Sequence, residues 1–247
     1  MVIVSAGMRK AGSAWYYNLT NDLLQAGGYV DVREVAPHFP VRAYVSDDKI
    51  KCGRLDGPTL VRLSIAHYLG YTYPVKTHSR PSRALPLFHT LGAVRCTYIS
   101  RDPRDVVVSI LDHAEHARRA GLSIDLAALQ TFQESVDLVV AELDRWEAWA
   151  GQRVVHHVRY EDLVANTAHE IDRLDAFLGL EVPVAERRAI AARYERTTYA
   201  HGMGEAVTNP IHLNKGVAGR FKEVLDDDEI GLCNSRFAPY LTRMGYA

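Results

Sequence analysis

Two patterns of hydrophobic and polar positions alternate along this chain. Short apolar runs, typical of buried strands, are separated by longer stretches in which apolar residues recur every three or four positions, as in amphipathic helices. The helical period is clearest at residues 126–149, which are predicted to form one long helix whose Trp and Phe side chains lie in the core. The predicted strands cover residues 2–6, 30–35, 71–77, 93–100 and 154–160.

This alternation predicts an α/β fold, a three-layer sandwich in which helices flank a central, mostly parallel sheet. In such folds ligands bind beyond the carboxyl ends of the strands. No repeat, low-complexity tract or linker divides the chain, so residues 1–247 are predicted to form a single domain. The least regular regions, residues 37–58 and 202–221, are predicted to act as lids or substrate loops.

Composition narrows the choice of partners and location. The 29 basic and 30 acidic side chains leave a net charge of −1, so no nucleic-acid partner is predicted and any anion site must be local. Cys52, Cys96 and Cys233 are widely scattered and lack disulfide or CxxC spacing, which favours a reducing, cytoplasmic location. We expect no transmembrane segment, because no apolar run approaches the ~20 residues that a membrane span needs.

The segment that follows the first strand has the spacing of a phosphate loop. Residues 7–15 read Gly-Met-Arg-Lys-Ala-Gly-Ser-Ala-Trp and lead into a helical pattern. No lysine stands directly before Ser13, and the lysine of the loop is Lys10, inside the turn. A lysine in that place lies near the first phosphate held by the loop, rather than near the β and γ phosphates of a triphosphate. The loop therefore predicts a P-loop-like fold that binds a phosphate without being an ATPase.

A second group of polar residues follows the strongest predicted strand. Asp102 and Pro103 are typical of a helix start, and Arg101 stands at the strand end, where it can meet a phosphate that Ser109 also contacts. A polar stripe on this helix is predicted to face a ligand, and it consists of Asp105, Ser109, Asp112 and His113. The alternative, that Arg101 pairs with Asp102 or Asp105 at the surface, stays open.

A third group is Lys76-Thr77-His78, at the end of another predicted strand. In an extended chain, Lys76 and His78 point to the same side. A histidine can remove a proton from a hydroxyl or amine, and a lysine beside it can neutralise charge on a group in transfer. We therefore predict His78 as a general base and Lys76 as its electrostatic partner.

No metal site is predicted. The histidine pairs His113/His116 and His156/His157 lack a third ligand. The acidic run at residues 226–229 is interpreted as the start of a helix.

In chain order, these motifs resemble the sulfotransferases that use 3′-phosphoadenosine 5′-phosphosulfate (PAPS) and release 3′-phosphoadenosine 5′-phosphate (PAP), in particular the soluble type. The resemblance spans nearly the whole chain. The similar segments are residues 10–15, 76–78, 98–109, 159–163 with 177–179, and 215–222.

The resemblance implies a role for each motif. Lys10 and the loop amides hold the 5′ phosphate, Arg101 and Ser109 hold the 3′ phosphate, and Trp15 and Tyr160 contact the adenine. His78 deprotonates the acceptor while Lys76 and Lys10 offset developing charge. The implied catalytic residues are His78, Lys10, Lys76 and Ser109, and the implied donor-binding residues are Lys10, Ala11, Gly12, Ser13, Ala14, Trp15, Arg101, Ser109, Tyr160, Asn214, Lys215 and Gly216. No metal is required.

Three positions depart from the family's pattern. Ala14 replaces a hydroxyl residue and removes one donor, Arg9 stands at a usual proline, and Asn214 stands at a usual arginine. The predicted acceptor is a hydroxyl or amine of a small molecule, sugar or lipid-like compound, and the candidate pocket residues are Phe39, Tyr44, Phe88 and Tyr199. A P-loop small-molecule kinase and a catalytically silent nucleotide-binding protein stay open as alternatives, as does the oligomeric state.

Overall fold

A parallel sheet of five strands runs through the protein, in a computed structural model that describes residues 1–31, 34, 51–121, 125–195 and 217–246. The strands are β1 (Val2–Gly7), β2 (Lys51–Cys52), β3 (Tyr73–Thr77), β4 (Val94–Ser100) and β5 (Val155–Arg159). They lie in the order β2-β3-β1-β4-β5, and each neighbouring pair is parallel. The carboxyl ends of all five strands therefore meet at one edge of the sheet.

Both faces of the sheet are buried, as β1 illustrates. Val2 and Val4 belong to a cluster with Tyr73, whereas Ile3 belongs to a second cluster with Leu19 on the opposite face. A strand covered on both sides needs apolar residues at successive positions, which explains the unbroken run at the start of the chain. The predicted three-layer α/β class is confirmed.

Helices cover the two faces of the sheet. They are α1 (Ser13–Ala26), α2 (Gly57–Tyr68), α3 (Leu85–Thr90), α4 (Pro103–Arg119), α5 (Phe132–Ala150), α6 (Tyr160–Ala165), α7 (Thr167–Leu178), α8 (Val184–Tyr194), α9 (Phe221–Val224) and α10 (Asp227–Met244). In the described part of the chain, none of these helices combines the length and apolar character that crossing a membrane requires.

The long predicted helix begins later than the periodicity indicated. Helix α5 starts at Phe132, and Leu126 lies before it in a short 3-10 turn. Thr131 ends the preceding segment because its hydroxyl accepts the Glu134 N–H at 3.2 Å while the Glu134 carboxylate accepts the Thr131 N–H at 2.9 Å. This reciprocal cap fixes the boundary, so the predicted start at residue 126 is wrong.

One predicted strand and one region predicted to be irregular also differ from the structure. Val30 and Asp31 lie outside regular structure, which contradicts the start of the strand predicted at 30–35, and residues 32, 33 and 35 lie outside the described part of the chain. Strand β2 falls within a region predicted to be irregular, because two residues are too few to display a period. The other predicted strands are confirmed to within two residues at each end.

Candidate active site

The loop between β1 and α1 turns tightly through two left-handed residues. Lys10 has φ 64° and Gly12, which precedes α1, has φ 81°. No side chain caps α1, and its first turn contains no acidic residue. The backbone N–H groups of that turn and the positive end of the helix dipole therefore face the loop without a competing carboxylate, an arrangement that suits an anion.

One aromatic ring brings the ends of three strands together. A Cβ added to Gly12 would lie 2.8 Å from the Cδ2 atom of Tyr160, so the ring packs directly on the glycine. Trp15 meets the same ring edge-on, with 5.9 Å between ring centroids. On the β4 side, the guanidinium carbon of Arg101 lies 4.2 Å from the ring centroid. Predicted residues from β1, β4 and β5 are thus in direct contact.

Arg101 directly follows β4 and is 7% exposed. Its Nη2 atom donates to Asp105 at 3.1 Å and to the carbonyl oxygen of Val217 at 2.8 Å. The alternative pairing with Asp105 is therefore present, but it is buried rather than at the surface. The Nε atom of Arg101 is buried and has no hydrogen-bond partner among the residues that the structure describes.

Asp105 links this arginine to a distant part of the chain. Its carboxylate accepts the backbone N–H of Gly219 at 2.7 Å and that of Phe221 at 3.0 Å, in addition to Arg101. About two turns further along α4, Asp112 pairs with Arg220 at 2.8 Å. Two members of the predicted polar stripe, Asp105 and Asp112, thus hold residues 219–221. Ser109 lies between them on the helix and is buried. That Ser109 faces a ligand stays a prediction.

Lys10 lies in the electrostatic field of these groups. Burial lowers the pKa of Lys10 to about 8, Arg101 adds to this effect, and Asp112 opposes it. The loop lysine and Arg101 therefore form two cations close enough to repel each other. A bound anion between them would relieve that repulsion.

His78 is held against the first strand. Its Nδ1 atom lies 2.7 Å from the Gly7 carbonyl oxygen, which can only accept, so Nδ1 carries the proton and Nε2 has the free lone pair. Burial lowers the pKa of His78 to about 3, and the charges of Lys76, Lys51 and Arg9 contribute to this shift. The imidazole is neutral at physiological pH, with its basic nitrogen directed away from the Gly7 carbonyl.

Lys76 lies one residue before the end of β3 and is 8% exposed. It stands opposite Ser5 of β1 on one side and opposite Lys51 of β2 on the other. The predicted pair Lys76 and His78 is thus at the same sheet edge as the loop.

Sequence reasoning missed a buried carboxylate that supports the loop. Glu142 of α5 is fully buried, accepts the backbone N–H of Arg9 at 3.1 Å and pairs with Arg145 at 2.6 Å. Burial raises the pKa of Glu142, and the two arginines oppose that rise. The available signal was its place on the apolar stripe of α5, between Val139 and Trp146, where a carboxylate needs a partner.

A second missed group supports the start of α4. Asp102 caps the helix as predicted, since its side chain accepts the Arg104 N–H at 3.0 Å. The Asp102 N–H in turn donates to Glu161 at 2.9 Å, and Glu161 also accepts the hydroxyl of Tyr246 at 2.6 Å. These contacts fix the backbone on which Arg101 stands.

Other predicted positions contribute less. Asn214, Lys215 and Gly216 lie outside the described residues, as do Phe39, Tyr44 and Tyr199. Phe88 packs against a core cluster. Ala11 and Ser13 are buried within the loop turn, and Ala14 is half-buried. Among the described residues, no group of three or more His, Cys, Asp or Glu side chains is arranged to hold a metal ion.

Comparison with known proteins gives a consistent result. The sulfotransferase domain family matches residues 2–239, and no curated protein sequence matches the chain. Retinol dehydratase in complex with androsterone and PAP is similar in structure, with a TM-score of 0.61 and 18% identity over 97% of this chain and 80% of that one. A mouse sulfotransferase in complex with PAP has a TM-score of 0.63 and 13% identity over 97% of this chain and 84% of that one. At these identities, the two structures establish the likeness of the fold.

Proposed function

We propose that this chain, which belongs to the sulfotransferase domain family, moves a sulfuryl group from PAPS to a hydroxyl or amine of a small-molecule, sugar or lipid-like acceptor. The observation that carries the proposal is the meeting, at one sheet edge, of the Lys10 loop, buried Arg101 and neutral His78. We treat residues 1–247 as one catalytic domain. Its three cysteines are free thiols in the structure, which is compatible with the predicted cytoplasmic location.

The residues of the site suit a donor that carries two phosphate groups. Lys10 and the uncapped first turn of α1 can hold the 5′ phosphate. Arg101 has a buried Nε with no described hydrogen-bond partner, and a 3′ phosphate would supply the missing acceptor, with Ser109 on the same helix. Trp15 and Tyr160, which meet edge-on, offer apolar surface for the adenine. PAP-bound relatives of the same fold support this assignment.

The fixed tautomer of His78 supports its role as the base. Nε2 accepts the proton of the acceptor hydroxyl while the acceptor oxygen forms its bond to sulfur. The bond from sulfur to the bridging phosphate oxygen breaks in line, and its electron pair stays on the 5′ phosphate of the product PAP. Lys10 and Lys76 stabilise the charge that develops on the leaving and equatorial oxygens. Replacing either by a neutral residue would cost about 3 kcal/mol of transition-state stabilisation.

The experiment that tests this proposal is a thermal shift without magnesium, with PAP, ATP and AMP as ligands. Of the three ligands, we expect only PAP to raise the melting temperature clearly. The rise should be measurable because a ligand at 100 times its Kd stabilises a protein by about 2.7 kcal/mol. The rise should vanish in Arg101→Ala and persist in Arg243→Ala, which removes an exposed arginine paired with Glu147. Each shift is taken relative to the same variant without ligand, so that loss of stability is not mistaken for loss of binding.

Equal shifts with all three ligands would contradict the proposal and favour a silent nucleotide-binding protein. In a parallel measurement with magnesium added, selective stabilisation by ATP would favour the kinase alternative.

A further inference from the structure

The strand order divides the site edge into two sides. The residues proposed to hold the donor follow β1, β4 and β5, whereas His78 follows β3, and β2 lies outside β3. Neighbouring strands are roughly 4.8 Å apart, so β2 lies roughly 10 Å from β1. A donor that covers β1, β4 and β5 leaves the ends of β3 and β2 to the acceptor.

The acceptor side carries two lysines at matched positions. Lys51 of β2 stands directly opposite Lys76 of β3. Opposed residues of parallel strands share a face of the sheet, and His78, two positions after Lys76, continues on that side. Lys76 is buried, whereas Lys51 is exposed. Like charges directly opposite each other destabilise a sheet. An anion bound beside exposed Lys51 would reduce the repulsion between the two lysines.

A third cation adds to the field. Arg9 follows Gly7, whose carbonyl oxygen holds His78, and the charged groups that act on His78 from the described residues are Lys76, Lys51 and Arg9. Arg9 is balanced by Glu142 at 3.5 Å. Lys51 forms no ion pair with an acidic residue in the described part of the chain. It is also the farthest of the three from the donor loop, because β3 lies between β2 and β1.

We propose that the acceptor carries an anionic group, such as a carboxylate, beside the hydroxyl that receives the sulfuryl group, and that Lys51 determines this specificity. The inference rests on the proposed function, since it assigns a substrate class to the same site. Lys10 and Lys76 flank the sulfuryl group in transfer, and Lys51 meets the acceptor's own charge. The site thus selects hydroxy acids over neutral alcohols and phenols of the same shape.

Three phenols of matched size test the inference: 4-hydroxyphenylacetate is an anion, 4-hydroxyphenylacetamide is neutral, and tyramine is a cation. Calorimetry with PAP-loaded protein measures their Kd values, and sulfate transfer from PAPS measures kcat/KM. We expect the anion to bind roughly tenfold more tightly than the amide, as for a hydrogen bond to a charged group, and tyramine to bind more weakly than both.

Variants locate the source of the preference. Lys51→Gln should reduce the ratio of anion to amide affinity to about one, and Lys51→Arg should retain the preference, because it keeps the charge. Arg54→Gln is the matched control, since it removes an exposed cation three residues away that pairs with Asp56. The control should keep the wild-type ratio.

The outcomes separate this inference from the function on which it rests. If PAP binds and the amide binds as tightly as the anion, or if Lys51→Gln leaves the ratio unchanged, the acceptor inference is overturned while the donor assignment stands. It is also overturned if none of the three phenols binds to the PAP-loaded protein. If PAP itself does not bind, the proposed function fails and the inference fails with it.

Discussion

The two sides of the site edge differ in how their positive charges are balanced. On the donor side, at the ends of β1, β4 and β5, Arg101 and Arg104 are paired with the buried carboxylates of Asp105 and Asp102 at 3.1 and 2.7 Å. On the acceptor side, at the ends of β3 and β2, the described groups whose charges act on His78 are all cations.

The difference separates a preformed site from one that its substrate completes. A buried arginine held by a carboxylate has a fixed direction, so it loses little freedom when an anion arrives. Of the three cations that act on His78, Arg9 is paired with Glu142 at 3.5 Å, whereas exposed Lys51 forms no ion pair with an acidic residue in the described part of the chain. An anion beside Lys51 would add a favourable charge pair there. The donor side therefore suits a single ligand, the proposed donor PAPS, and the acceptor side favours acceptors that carry a negative charge. Three changes test this contrast.

The largest effect is expected from His78→Asn. The asparagine amide can still donate to the Gly7 carbonyl, so the loop keeps its support, but no basic nitrogen faces the acceptor. We predict that kcat falls by roughly 10² to 10⁴, the range for loss of a general base, while the Kd of PAP stays within about twofold. Steady-state kinetics and calorimetry measure the two values. His89→Asn, which changes a partly buried histidine of α3, serves as the control.

A kcat for His78→Asn within threefold of the wild type would exclude His78 as the base. The acceptor-side residues would then stabilise charge in the transition state without accepting a proton from the acceptor.

The donor side is tested by Asp105→Asn. This change removes the charge that balances buried Arg101 and weakens acceptance of the Gly219 and Phe221 N–H groups. We predict a loss of about 3–5 kcal/mol in the free energy of unfolding, as for a buried ion pair deprived of one partner. Urea denaturation measures it.

The control for Asp105→Asn is Glu147→Gln, in an exposed pair with Arg243. That pair contributes about 1 kcal/mol or less. Equal losses in the two variants would show that the donor side is not held by its buried carboxylate.

The pH dependence of kcat/KM gives the smallest effect and separates the two sides in one profile. The lowered pKa of His78, about 3, keeps the base neutral far below its usual pKa of 6.5, so activity should not fall between pH 7 and pH 5. The lowered pKa of Lys10, about 8, means that this cation is lost above pH 8. The rate should then fall with rising pH and approach a tenfold decline per pH unit once the uncharged lysine predominates, until the residual activity of that form sets the rate.

Lys10→Arg should remove this alkaline decline, because arginine stays protonated throughout the range. An acid limb centred near pH 6.5 in the wild-type profile would contradict the neutral, buried state of His78.

Sequence signals were sufficient where they are local. Asp102 and Pro103 marked the start of α4, and the glycine spacing marked the loop, because caps and tight turns depend on adjacent residues. The placement of Lys76 and His78 at one edge followed from the period of a strand. The acidic start of α10 was likewise confirmed, since Asp226 and Glu229 cap each other.

The remaining features depend on contacts between distant residues. The partners of Asp105 lie 114 and 116 positions later in the chain, so no local pattern distinguishes a carboxylate that faces a ligand from one that holds backbone amides. The start of α5 was misjudged because apolar spacing continues through the 3-10 turn before Thr131. The opposition of Lys51 and Lys76 could not be foreseen without the register of a strand of two residues.

The contact between Gly12 and Tyr160 limits how this chain can vary by mutation. Alanine at position 12 would collide with the tyrosine ring at 2.8 Å and would also have to adopt φ 81°. Shrinking the residue at position 160 would make room, but it would remove the ring face that Arg101 covers. Alanine at position 12 is therefore tolerated only with a smaller residue at position 160, and that second change removes the contact of Arg101 with the ring. Substitutions at Gly12, Tyr160 and Arg101 are therefore coupled, although these residues lie far apart in the sequence.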